Sequence, residues 1–78
     1  MRIEFTTASK RHKIGRAHVR YLMATCTPSP ATTNRGEPGW RYVGPDDRGV
    51  VLEVIAVVTD RGNLLVIHVM PHAFRGGN

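Results

Sequence analysis

Two short turn sequences divide the second half of this chain into three apolar segments. The turns read PDDRG at 45–49 and DRGN at 60–63, and both are rich in residues that favour tight turns. The segments beside them, at 40–44, 50–59 and 64–70, are rich in β-branched, aromatic and aliphatic side chains. Strands joined by such short turns pair antiparallel, so the pattern predicts an antiparallel meander.

The first half of the chain predicts one more strand and one main helix. Apolar and polar side chains alternate around Ile3 and Phe5, which is the period of a half-buried strand. From Arg16 onward, apolar residues recur at i, i+3, i+4 and i+7, so they form one stripe along a helix. The stripe consists of Val19, Leu22, Met23 and Cys26. A short helical turn is expected before this helix, where Thr7 or Ser9 can act as the cap.

The length of 78 residues fits a single domain spanning 1–78. We expect an α+β fold, in which a four-stranded antiparallel sheet carries the main helix and the short helical turn on one face. Residues 27–39 contain three prolines and two glycines, so they are expected to form a surface loop. Residues 73–78 are expected to form a short C-terminal tail.

The last hairpin predicts which side chains share a face of the sheet. With a loop at 60–63, the paired positions would be Thr59 and Leu64, Val57 and Val66, Ile55 and His68, and Glu53 and Met70. The face expected to pack on the helix would consist of Val54, Ala56, Val58, Leu65, Ile67 and Val69. The opposite face would carry Glu53 and His68, with Arg41 of the preceding strand beside Glu53.

Positive charge is concentrated in the first half of the chain. Residues 1–36 contain seven lysines and arginines and one acid, Glu4, whereas residues 37–78 contain four cations and five acids. A field of this kind is typical of proteins that bind phosphate groups or an acidic partner. A solvated basic helix face is the structural alternative.

Several kinds of site are not expected. The sequence contains no GxxxxGK[ST], GxGxxG or HExxH motif, and its single cysteine, Cys26, cannot form a paired-cysteine site. The four histidines have no recognised ligand spacing, so we expect neither a metal nor a cofactor. No apolar stretch approaches the length of a membrane span, and no signal-peptide pattern is visible, which favours a cytoplasmic protein with no membrane contact.

RNA cleavage needs few groups, because the 2′-hydroxyl of the RNA is itself the nucleophile. The protein must supply a base, an acid and a cation for the charge that develops on the phosphate. Glu53 or His68 could take the proton, and His72 or His12 could donate one. Cations for the phosphate could be Arg41, Arg16 or Arg75. The structural alternative is a cross-strand ion pair between Arg41 and Glu53 beside a packed histidine.

Two segments resemble the small BrnT-like toxins of bacterial toxin–antitoxin modules, within the RelE and ParE superfamily. The segments are RHKIGRAHVRYLMAT and WRYVGPDDRGVVLEVIAVVTDRGNLLVIHVMP, and with the leading strand they cover most of the chain. The helix motif of the family is matched by Lys10, Arg11, His12 and Ile14. Two departures from the family are the order Lys13, Ile14, Gly15 at that motif and the absence of a closing helix in PHAFRGGN. The resemblance implies a messenger RNA endoribonuclease that a cognate antitoxin neutralises.

The expected function is therefore that of a toxin component that cleaves messenger RNA by metal-independent acid–base chemistry. The expected catalytic residues are His68, Glu53, Arg41 and His72. The expected nucleic-acid-binding residues are Lys10, Arg11, His12, Lys13, Arg16, Arg20 and Arg75. The expected partners are an acidic antitoxin and an RNA substrate. The alternative is a non-catalytic basic module that binds an acidic protein or nucleic acid, and a DNA-binding regulator is less favoured because no helix-turn-helix pair is evident.

Overall fold

The computed structural model describes residues 2–6 and 14–72. Within these ranges the chain forms one helix and five strands. In chain order they are β1 (Ile3–Phe5), α1 (Arg16–Thr25), β2 (Ser29–Thr32), β3 (Pro38–Pro45), β4 (Val51–Val58) and β5 (Leu64–Pro71). The strands form one sheet in the order β1-β5-β4-β3-β2. β1 pairs parallel to β5, whereas the other neighbouring strands pair antiparallel.

The expected four-stranded antiparallel sheet is wrong, because the sheet is mixed and has five strands. The additional strand, β2, lies within the stretch 27–39 that was expected to be only a loop. It pairs with the start of β3, from Ser29 opposite Arg41 to Thr32 opposite Pro38. Prolines are tolerated there because β2 is an edge strand, and an edge strand has one side without ladder hydrogen bonds.

The expected helical turn falls on residues 7–12, all of which lie outside the described residues. The expected tail at 73–78 lies outside them as well. β1 was expected to pair antiparallel. Its parallel pairing follows from the route of the chain, since β1 and β5 are separated by the helix and three strands rather than by a hairpin turn.

The helix forms as the stripe predicts. Val19 and Leu22 are fully buried, and Met23 and Cys26 pack against the same core. α1 starts after Gly15, and its end is closed by the backbone N–H of Cys26, which donates to the carbonyl of Leu22. The helix packs on β3 and β4. The sheet contributes to this core Tyr42, Leu52, Val54, Ala56, Leu64, Val66 and Val69.

One extra residue in β5 changes the predicted faces of that strand. Val66 lies opposite Ala56, and His68 lies opposite Ile55, so Ile67 is a bulge between them. The expected pairs of Ile55 with His68 and of Glu53 with Met70 are confirmed. The expected pairs on the other side of the bulge, Thr59 with Leu64 and Val57 with Val66, are wrong by one position, since Val58 pairs with Leu64 and Val57 with Leu65.

This shift reassigns several side chains of the last hairpin. Because alternation restarts at the bulge, Leu64 and Val66 face the helix together with Val69. Leu65, expected in the core, lies on the other face opposite Val57. Val58, also expected in the core, is 49% exposed at the end of its strand.

The turn between β3 and β4 is organised by a buried carboxylate. Asp46 is 3% exposed, and its Oδ1 accepts hydrogen bonds from the backbone N–H groups of Arg48 and Val50. Its Oδ2 accepts two more from the Arg48 guanidinium. Gly49 completes the turn with a φ of 83°, a left-handed conformation that favours glycine. The PDDRG sequence therefore forms the tight turn that it predicts.

No helix among the described residues is long and apolar enough to cross a membrane.

Candidate active site

The face of the sheet opposite α1 carries the polar cluster that the sequence predicts. Tyr42 and Val54 point into the helix-side core, so their strand neighbours Arg41 and Glu53 point to the other face. His68 joins them from β5, on the strand that neighbours β4. Among the described residues, no helix covers this face. The three side chains thus lie on three adjacent strands of a sheet face that no described helix covers, called the open face below.

Arg41 and Glu53 form an ion pair at the centre of this face. The Nε of Arg41 donates to Oε2 of Glu53 at 2.5 Å. The two residues are diagonal neighbours, because Arg41 lies opposite Ile55 and Glu53 lies opposite Val43. The Glu53 side chain is 7% exposed, whereas that of Arg41 is 36% exposed. The carboxylate is therefore buried, and the guanidinium reaches the surface above it.

His68 approaches the same carboxylate from the other side. Its Nε2 lies 3.4 Å from Oε1 of Glu53, and its side chain is 37% exposed. Each oxygen of Glu53 thus faces a different nitrogen-bearing side chain. The distance is at the long end for a hydrogen bond, which leaves the ring able to approach a solvent-side group as well. The Glu53 carboxylate therefore lies close enough to restrict the orientation of the imidazole.

The side chains around the cluster are apolar. Val43 and Met70 lie opposite Glu53 on the two neighbouring strands, and Ile55 lies between Arg41 and His68 in the register. Apolar surroundings lower the local dielectric and strengthen the attraction between the charges. They also exclude water from Glu53, so the carboxylate depends on its charged neighbours for stabilisation.

His72, the second expected catalytic histidine, is not joined to this cluster by any hydrogen bond or ion pair among the described residues. It follows β5 directly, after Pro71, and is half-buried. Its Nδ1 is buried and has no hydrogen-bond partner. Its role in proton transfer stays a prediction.

Arg16 and Arg20, two of the expected nucleic-acid-binding residues, lie on the helix side of the sheet. Their guanidinium carbons lie over the ring of Phe5, at 5.4 and 5.6 Å from its centroid, in cation–π contact. Phe5 pairs with Val66 and packs against the helix-side core. The sheet therefore separates these two arginines from the cluster of Arg41, Glu53 and His68.

The remaining expected cationic contacts fall outside the described residues. They are Lys10, Arg11, His12, Lys13 and Arg75.

A second polar cluster, not predicted from the sequence, links the helix to the β3–β4 turn. The Nδ1 of His18 lies 2.5 Å from Oδ1 of Asp47, and Asp46 is close enough that the three side chains offer atoms within 4.8 Å of one another. Metal-binding sites use such groups. The sequence signal was the acidic pair in PDDRG, but the partner histidine lies 29 residues away along the chain.

The hydrogen bonds of Asp46 favour a structural role for this second cluster. Burial alone would raise the pKa of the Asp46 carboxyl, but hydrogen bonds from Arg48 and Val50 outweigh burial and hold that pKa below its usual value of 3.8. Both oxygens are thus committed to the turn, and the Arg48 guanidinium beside them repels a cation. His18 and Asp47 then act as a clasp between α1 and the turn.

Comparisons with known proteins were negative in all three respects. No family description, no curated protein and no solved structure matches this chain. The resemblance to BrnT-like toxins stays a prediction.

Proposed function

We propose that this protein is an RNA-cleaving toxin component whose reaction takes place at the cluster of Arg41, Glu53 and His68. The observation that carries the proposal is the buried Glu53 carboxylate, which lies between an arginine and a histidine that both reach the open sheet face. Cleavage of RNA requires a group that moves a proton beside a cation that binds phosphate. In this cluster His68 can move the proton and Arg41 is the cation, and both side chains lie beside the Glu53 carboxylate.

The exposure of the three side chains indicates their roles. His68 and Arg41 reach solvent and can touch a substrate, whereas Glu53 is too deeply buried to do so readily. His68 takes the proton from the 2′-hydroxyl as the new bond from the 2′ oxygen to phosphorus forms. Arg41 donates hydrogen bonds to the phosphoryl oxygens, where negative charge develops. Glu53 is a positioning residue that orients both.

The bond from phosphorus to the 5′ oxygen breaks in the same step. The leaving oxygen takes a proton from water or from His72, the second expected acid. The products are a 2′,3′-cyclic phosphate and a free 5′-hydroxyl, so no water is consumed and no cofactor is required. Positive charge in the first half of the chain supports the proposal, because it favours the approach of a polyanion.

The toxin assignment rests on the resemblance to BrnT-like proteins and carries two further proposals. The protein would act in the cytoplasm, where messenger RNA is translated, and an antitoxin would hold it inactive. A neighbouring gene for a small acidic protein with a DNA-binding half would support the assignment. Growth arrest with messenger cleavage after induced expression is the expected cellular result.

One observation favours the non-catalytic alternative. Arg41 and Glu53 compensate each other's charge in a short ion pair, as structural pairs do. In that alternative the open face binds a partner without reacting with it. This non-catalytic function would be favoured if the protein bound RNA without cleaving it.

A direct assay separates the two functions. A single-stranded RNA of mixed sequence, labelled at its 5′ end, is incubated with the purified protein in the presence of a chelator. We expect shortened fragments that end in a cyclic phosphate, and no cleavage of the same sequence with 2′-O-methyl groups. Cleavage of the methylated strand, or no cleavage of either strand, would contradict the proposed reaction.

A further inference from the structure

The helix side of the sheet carries a cleft that the core does not fill. α1 packs on β3 and β4, and the cleft opens beside it toward β1 at the edge of the sheet. Its volume is about 350 Å³. It is lined by Ile3, Arg20, Met23, Ala24, Tyr42 and Leu64. All but Arg20 offer mainly apolar surface, so the cleft fits an aliphatic side chain better than a polar one.

Arg20 lines this cleft, and neither it nor Arg16 has an ion-pair partner among the described residues. Arg16 and Arg20 are one helical turn apart, and both guanidiniums lie over the Phe5 ring. No described carboxylate lies within 4.0 Å of either guanidinium. Glu4, the acid next to Phe5, lies opposite Leu65 and so points to the other face.

This arrangement leaves the arginines ready for an anion. Neither guanidinium donates a side-chain hydrogen bond to another described residue, so its N–H groups can bind a carboxylate in a bidentate manner. Two like charges beside one ring repel each other until an anion neutralises them. The surface therefore combines an apolar cleft with two arginines that no described carboxylate neutralises.

We infer that this surface, formed by Phe5, Arg16, Arg20 and the adjoining cleft, binds an acidic segment of a partner protein. An aliphatic side chain of the segment enters the cleft between Met23, Ala24 and Leu64. Carboxylates one turn away on the same segment pair with the two arginines. The inference rests on no step of the proposed cleavage, because the cluster of Arg41, Glu53 and His68 lies on the other face of the sheet.

A nucleic acid fits this surface less well than a protein segment. Phosphates could pair with the arginines, but the cleft walls are aliphatic and offer few groups to the polar edges of a base. Burial is the main cause that raises the pKa of the Tyr42 phenol, and Cys26 adds to it, so this side chain is neutral at physiological pH. Tyr42 thus presents a neutral aromatic surface to the cleft, which is compatible with an apolar side chain.

The probe is a fluorescently labelled helical peptide that carries glutamates and leucines on one face. Its binding to the full-length protein is measured by fluorescence polarisation. Two control peptides replace either the leucines or the glutamates with glutamine. The surface is altered in two ways, by Arg16→Gln with Arg20→Gln and by Ala24→Trp, which fills the cleft. Arg35→Gln is the matched control, since Arg35 is an exposed cation near the opposite edge of the sheet.

We expect each surface change to weaken binding of the peptide about tenfold or more, as loss of a central anchor does. Arg35→Gln should leave binding within about twofold, and both control peptides should bind weakly. The inference would be overturned if Arg35→Gln weakened binding as much as the surface changes do, or if the control peptides bound as tightly as the probe. It would also be overturned if the probe did not bind the parent protein. An RNA oligomer that binds more tightly than the peptide through the same residues would overturn it as well.

Two further measurements keep this test independent of folding and of cleavage. Circular dichroism and a melting curve show whether the Ala24→Trp protein keeps its fold. The RNA assay shows whether the Ala24→Trp protein still cleaves, which the separation of the two faces predicts. If His68→Gln loses RNA cleavage but still binds the peptide, the result bears on the proposed catalytic function only. It does not contradict the inference about this surface.

Discussion

The buried carboxylate of Glu53 lies 2.5 Å from the Nε of Arg41, a side chain on the neighbouring strand that is 36% exposed. The pair joins β3 to β4 on the face of the sheet that α1 does not cover. Because Glu53 has little contact with water, its charge is stabilised mainly by the protein. The two residues are therefore coupled energetically, whether or not they take part in a reaction.

This coupling predicts the effect of removing the arginine. Arg41→Met should lower the free energy of unfolding by about 1–2 kcal/mol, less than fully buried pairs lose because water already screens Arg41. Arg41→Met combined with Glu53→Leu should recover most of that loss, since the buried charge is gone. Urea unfolding of the four proteins in this cycle measures the coupling. Arg61→Met is the control, because Arg61 is exposed in a turn. An equal loss of stability in that variant would contradict a specific interaction between Arg41 and Glu53.

His68→Gln tests the proposed proton transfer. Glutamine keeps the approximate size and hydrogen bonding of the ring but cannot accept a proton near neutral pH. We expect the rate of RNA cleavage to fall by about 10² to 10⁴ while the melting temperature changes little. His18→Gln is the matched control, because His18 lies on the helix side in the clasp with Asp47. Parent rates in both His68→Gln and His72→Gln would rule out histidine chemistry and favour stabilisation by cations alone.

The bulge at Ile67 makes a prediction about strand register. Deleting Ile67 would leave Val66 and His68 opposite their present partners, so both faces of β5 would keep their side chains. We expect a folded protein that loses about 1–3 kcal/mol at most. Deleting Val54, which lies in a regular part of β4, would instead shift one side of the strand to the wrong face. Equal stability of the two deletion proteins, measured by urea unfolding, would show that the bulge is not the point where the register changes.

The bulge also explains how far the sequence alone could predict this molecule. Turn residues and strand periodicity predict the meander of β3, β4 and β5, and helical periodicity predicts the buried stripe of α1. The cluster of Arg41, Glu53 and His68 was predicted because the register is right on its side of the bulge. On the other side, one additional residue reversed the expected orientations of Leu65 and Val66. No local pattern marks that residue, since Ile67 ends a run of four consecutive apolar side chains that begins at Leu64.

Two other features depend on contacts that are distant in the sequence. β2 lies in a proline-containing stretch with no apolar alternation, and it forms because β3 offers an edge to pair with. The clasp between His18 and Asp47 joins residues 29 positions apart. Propensity and periodicity describe one segment at a time, so they cannot predict an edge strand or a side-chain pair that only the assembled sheet brings together.

The Asp46 carboxylate is expected to make the protein less stable as the pH falls. Its pKa lies below the ordinary value of 3.8, because hydrogen bonds to Arg48 and Val50 outweigh its burial. A carboxyl with a lowered pKa in the folded state contributes stability above its unfolded pKa and loses that contribution as the pH falls through its folded pKa. The contribution of Asp46 is thus complete at neutral pH and declines below about pH 4.

Asp46→Asn should therefore lower the free energy of unfolding by about 1–3 kcal/mol at pH 7, since the amide cannot accept all of the hydrogen bonds. Below the unfolded pKa the difference between the variant and the parent should shrink, because protonation weakens the same contacts in the parent. Urea unfolding at a series of pH values measures both proteins. Asp60→Asn, at an exposed position in the other turn, should change stability little at any pH. A difference for Asp46→Asn that stays constant from neutral pH to strong acid would show that the ionised carboxylate does not hold the turn together.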